Sequence, residues 1–173
     1  MKKRLTSWLL TIIQAVVDLE IAIVAVGAFG GLIAAPFTEI GHAFFDYRSG
    51  FGLLVQVLDV VLEVGLLVIS LLGTRNLLSN INDGQYFVSQ NMLAVWQILW
   101  STLLALVLGG LNTVIYHLLH LRDKLGLLTM SGDDFTNGLG FVTVIFLIYL
   151  IFRRVLPCSR KQTRLSEEVV TGD

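Results

Sequence analysis

Apolar residues run through this chain in four long blocks, and short polar segments separate them. The first block extends from Leu5 to Ala35, broken only by Asp18 and Glu20 and by scattered amides and hydroxyls, and Pro36 closes it. A bilayer core about 30 Å thick takes about 20 helical residues to cross. The blocks therefore predict membrane helices over about 8–35, 52–74, 93–119 and 137–154. The last is short, and Arg153 and Arg154 at its end are expected to reach back to the interface. The expected fold is all-α: an integral membrane four-helix bundle over residues 1–156. A basic, polar and mobile tail is expected over 157–173.

The intervening segments carry their own signals. Phe44, Phe45, Tyr47 and Phe51 in the first loop suit the headgroup layer. The middle loop holds the turn formers Asn80, Asn82, Asp83 and Gly84. Gly84 fits a helix C-cap there, and Ser89 fits the N-cap of the next helix.

Composition agrees with a lipid solvent, since 55% of residues are apolar and only 14% charged. A net charge of -1 argues against direct nucleic-acid binding. The single Cys158 leaves no internal disulfide and no cysteine-based metal site. A cleaved signal peptide fits poorly, because the first apolar block is too long and contains two acids. Lys and Arg are distributed unevenly. Lys2, Lys3, Arg4, Arg75, Arg153, Arg154, Arg160, Lys161 and Arg164 fall on one side, and Arg48, Arg122 and Lys124 on the other. The positive-inside rule then puts the N-terminus, the C-terminus and the middle loop in the cytoplasm, and an even number of spans agrees with both termini lying on one side.

Four carboxylates inside the spans are the main candidates for chemistry: Asp18, Glu20, Asp59 and Glu63. Each is costly in hydrocarbon, and no Lys or Arg is expected at their depth. Antiparallel spans would bring all four to a similar level. Asp59 and Glu63 share a helix face, whereas Asp18 and Glu20 lie about 200° apart. They read either as a proton- or cation-handling site or as quiet interhelical hydrogen-bonding groups, with Gln14, Gln56, Gln97 and Asn112 as partners. A shallow first helix would instead leave Asp18 and Glu20 near the headgroups. On the outer side, Glu39, His42, Asp46, His117 and His120 have a spacing that permits a metal but does not specify one, and no metal or other cofactor is assigned. Gly27-x-x-x-Gly31 and Ala105-x-x-x-Gly109 predict close internal helix packing, with a homo-oligomer face as the alternative. Phosphate loops, zinc-protease pairs and nucleophile elbows are missing, so no enzyme is expected.

The stretch Leu77 to Asn91 places a Gly ahead of a Phe, then a small hydroxyl residue, then an Asn opening the next helix. The residues carrying this pattern are Gly84, Tyr86, Phe87, Ser89 and Asn91. Between the second and third of four spans, it resembles bacterial membrane proteins catalogued as domain of unknown function 2975. The tail departs from that pattern: Glu167 and Glu168 are present, but no Asn follows. The resemblance implies a multi-pass protein of the bacterial cytoplasmic membrane, without established activity, whose relatives are often encoded beside a small Cro-like repressor. The expected function is a non-enzymatic interaction or regulatory role, with the lipid bilayer and a cytoplasmic protein as partners. A small transporter using the four acids and an immunity-type protein are the alternatives.

Overall fold

The computed structural model describes residues 2–45, 47, 49–86, 88–121 and 130–171, with side chains for all of these except 2–7, 43, 44 and 156–171. The described chain is helical throughout, and four of its helices are long and apolar enough to cross a membrane. The first, α1, spans Lys2–Ala34 and passes into a 3₁₀ turn over Ala35–Phe37. Pro36 ends the α-helix, because its ring fixes φ and it has no N–H to donate. A short helix α2, Glu39–Phe44, follows. Its N-cap Thr38 accepts a hydrogen bond from the Gly41 amide at 3.1 Å. Gly41 must be glycine here, since a Cβ would collide with the backbone of Ala35.

The second long helix, α3, spans Gly50–Asn82 and is capped by Ser49, whose hydroxyl accepts from the Gly52 amide at 3.2 Å. It runs well past the expected end at Thr74, because nothing between Arg75 and Asn82 breaks a helix. Gly84, with φ of 77°, finally stops it. The Gln85 amide bonds to the Asn80 carbonyl at 2.8 Å and the Gly84 amide to Ile81 at 3.0 Å, the paired bonds of a Schellman cap. The third, α4, spans Ser89–Leu118 with Val88 as N-cap, so Ser89 is its first residue and not the cap expected from the sequence. Its other end closes with the same Schellman pattern, from Leu121 to Tyr116 and from His120 to His117. His120 takes the left-handed position there, with φ of 50°.

The fourth, α5, spans Gly132–Thr171. It begins earlier than expected because Ser131 and Asp134 cap it reciprocally. The Asp134 amide bonds to Ser131 Oγ at 3.1 Å, and the Ser131 amide bonds to Asp134 Oδ2 at 3.2 Å. It also continues through Pro157, so the backbone expected to form a mobile tail is helical as far as Thr171.

The helices pack in chain order: α1 on α3, α3 on α4, α4 on α5. Among the described residues α1 has no contact with α4 or α5, so the four helices of the bundle pack as an open row. An apolar cluster joins α4 and α5 with a contribution from α3, where Val95, Leu99 and Ile145 are buried against Leu77, Ile98, Val142, Tyr149 and Phe152. Helices come closest at Gly73, where a Cβ would press on Ile98 and the Ala94 carbonyl, and at Gly138, where it would strike Leu106. The two small-residue motifs do not make the close internal helix packing expected of them. The Cβ positions of Gly27 and Gly31 open into free space, and Gly109 faces Met130 of the following loop. A spacing of four residues permits close approach but does not say which face of the helix receives a neighbour.

Candidate functional site

The row has two polar layers near its opposite ends and a polar turn beyond one of them. The first layer joins α1 to α3. Arg75 Nε donates to Asp18 Oδ1 at 2.5 Å, with both side chains a little under half exposed. Asp18 therefore has a cation at its own level, contrary to the expectation that no Lys or Arg would be found there. Arg75 marks the hydrophobic limit of the span, not the end of the helix. Glu20, two residues on, is turned about 200° away. It is exposed and has no partner among the described residues.

The contact between Gly73 and the Ala94–Ile98 stretch brings Trp96 to the level of Arg75. The Trp96 ring lies 5.1 Å from Tyr149 of α5 and 5.3 Å from Trp100. An ion pair, a tryptophan and a tyrosine at one height are the composition of a membrane interface.

The second layer lies in the α3–α4 seam. Asp59 is 4% exposed. Asn112 Nδ2 donates to its Oδ1, and the Tyr116 hydroxyl lies 3.4 Å from its Oδ2. Gln56, wholly buried, lies one turn away on the same face of α3. Sixteen residues separate Asp59 from Arg75, or about 24 Å along a helix. The four acids are therefore not at matching depth. Asp18 and Glu20 lie at the level of Arg75 and Asp59 well away from it along α3, with half-buried Glu63 one turn from Asp59 on the side of Arg75. Helix registers set these levels, and a count from each helix end does not reveal them.

The turn between α3 and α4 is the most completely bonded polar feature. Asn91 has no exposed surface. Its Oδ1 accepts from Asn80 Nδ2 at 2.7 Å, and its Nδ2 donates to the carbonyls of Gln85 and Tyr86 at 2.7 and 2.9 Å. One side chain thus ties the end of α3, the loop and the start of α4 together. Gly84 and Tyr86 are exposed at the tip, Tyr86 by 55%. Phe87 lies outside the described residues. Asn80 and Arg75 were missed as site residues, and only the register of α3 against α1 and α4 reveals their roles.

Among the described residues the outer cluster does not come together. Among the described residues no three of His, Cys, Asp or Glu lie close enough to hold a metal ion. His42 packs edge-on against Tyr47 at 4.9 Å, His117 and His120 belong to the α4 cap, Glu39 is exposed in α2, and Asp46 lies outside the described residues. No protein-family model, curated protein or solved structure matches this chain.

Proposed function

We propose that the protein is a non-enzymatic interaction protein of the bacterial cytoplasmic membrane, with both termini inside, and that its α3–α4 turn is the contact surface for a cytoplasmic protein. The observation that carries this reading is the Asn91 staple. It holds an exposed Tyr86 at the tip of a turn with little freedom left to lose on binding. Ser89 lies seven residues outward from Trp96, which puts the tip about 10 Å or more beyond the aromatic layer. The headgroup region is only about 5–7 Å deep on each side. Tyr86 therefore suits contact with a soluble partner better than anchoring among headgroups. The proposal includes the family resemblance, and with it a Cro-like regulator as the first partner to try. A photoreactive residue at Tyr86 in living cells is expected to give one discrete protein adduct, lost when Asn91→Leu loosens the turn. Adducts with lipid alone would end this reading.

A second reading has a specific observation behind it, since Asp59 is buried beside an amide and a phenol and Glu63 stands one turn away. Such a constellation suits passage of protons or monovalent cations. If that is the function, Asp59→Asn with Glu63→Gln abolishes proton or sodium flux into vesicles holding the purified protein. Unchanged flux, or none in the unsubstituted protein, removes this reading.

A further inference from the structure

Packing in chain order leaves the first and last helices of the row each with a free flank. Only 6% of the membrane-crossing stretch of α1 is buried, and 6% of that of α5, against 33% of α4. On α1, Ile13, Val16, Glu20, Ile23 and Gly27 follow in alternating steps of three and four, the spacing of a helix-pairing seam, and all are exposed. On α5, Leu139, Thr143, Phe146, Leu150 and Arg153 follow in the same steps, and again all are exposed. Each stripe lies about 100° round its helix from the side already packed, which buries Val17 against α3 and Ile145 against α4.

Lipid would cover the apolar members of either stripe as well as protein would, so they do not choose an occupant. The two charges do. Glu20 is an acid inside the first span with no partner among the described residues, and Arg153 is a cation in the last with none. Their levels agree. Asp18 pairs with Arg75, so Glu20, two residues on, stands about 3 Å nearer the membrane centre, level with Gly73. Gly73 meets the Ala94–Ile98 stretch, and Trp96 within it meets Tyr149, so Glu20 and Tyr149 share a level. Arg153 is four residues, or about 6 Å, farther from the centre than Tyr149. Side-chain direction closes that gap. Helical Cα–Cβ bonds tilt towards the N-terminus. As first and last of four spans, α1 and α5 run in opposite senses, so Glu20 leans away from the membrane centre and Arg153 leans towards it. Within one chain the described residues of α1 and α5 have no contact, because α3 and α4 stand between them. Two α1 stripes together would set Glu20 against Glu20, and two α5 stripes Arg153 against Arg153. Only unlike flanks bring opposite charges together.

We propose that copies of this chain associate head to tail in the membrane, the Glu20 stripe of α1 in one copy packed on the Arg153 stripe of α5 in the next. Such a contact is heterologous, so it repeats from copy to copy. The test uses the full chain with Cys158→Ser, oxidised in native membranes. Ile23 and Phe146 fall at one level, three residues inward of Glu20 and of Tyr149. A chain carrying both Ile23→Cys and Phe146→Cys is expected to give a ladder of disulfide-linked oligomers, and a chain with either cysteine alone to stay monomeric. With the two cysteines on separately tagged copies, Glu20→Arg on the first is expected to lower the mixed dimer roughly three-fold or more, and Arg153→Glu on the second to restore it. No ladder, or dimers from a single cysteine as abundant as the mixed one, would overturn the proposal. So would a mixed dimer indifferent to Glu20→Arg, which would reduce the contact to collision of apolar flanks. The cysteine comparison keeps the native charges, so it decides even if a charge-reversed copy inserts poorly.

Discussion

Asn91→Leu is expected to destabilise the protein by about 2–4 kcal/mol, the larger part of it in the α3–α4 turn. Three groups lose their partner at once: the Asn80 amide and the carbonyls of Gln85 and Tyr86. Each buried polar group left unpaired costs about 1–3 kcal/mol, and water entering from the exposed tip recovers part of that. Leucine keeps asparagine's branching at Cγ but cannot donate or accept, and its bulkier methyls add some overpacking to the lost hydrogen bonds. Asn91→Asp is expected to be worse than leucine. It keeps the acceptor for Asn80, loses both donors, and sets a carboxylate against two carbonyl oxygens. Hydrogen exchange over Gly84–Val88, read beside global unfolding in mixed micelles, checks both claims. A leucine variant with unchanged protection in the turn would show that the backbone cap at Gly84 alone holds it.

This turn also shows how far sequence reading reaches. A glycine after Asn82 and Asp83 is a sufficient signal for a helix stop, because only a left-handed residue makes the Schellman bonds cheaply. The four spans were legible for a similar reason: apolar length is a local property. Depth was not. Asp18 and Asp59 look equivalent when counted from the centres of their own spans, yet α3 overruns its apolar block by eight residues, and the register this allows puts Arg75 beside Asp18. The role of Asn91 was hidden differently. Its motif placed it at the opening of a helix, but its three partners become neighbours only once the turn has closed. The α5 start was misplaced because Ser131 and Asp134 look like loop residues until their reciprocal bonds are recognised as a cap.

Asn112→Leu is expected to cost about 3 kcal/mol, and Asp59→Leu combined with it to recover most of that loss. The argument turns on what each change leaves behind. Removing Asn112 takes from a carboxyl that is 4% exposed the amide that donates to its Oδ1, and leaves the Tyr116 hydroxyl at 3.4 Å from its Oδ2. Removing both partners leaves no carboxyl to satisfy in the seam between α3 and α4, and the Tyr116 hydroxyl that then loses its acceptor keeps the recovery incomplete. Magnitude decides between two accounts of the contact. Hydrogen bonds between membrane helices average only about 0.6 kcal/mol and reach about 1.7, because the unfolded helix in lipid finds other partners. A buried charge stripped of its partner costs about 3–5 kcal/mol. A double-mutant cycle on unfolding in mixed micelles therefore measures more than stability. A coupling well above 1.7 kcal/mol marks a carboxyl whose charge depends on Asn112, the condition a cation- or proton-handling site needs. A coupling near 0.6 kcal/mol makes the pair an ordinary interhelical bond and leaves the α3–α4 turn as the stronger claimant to function.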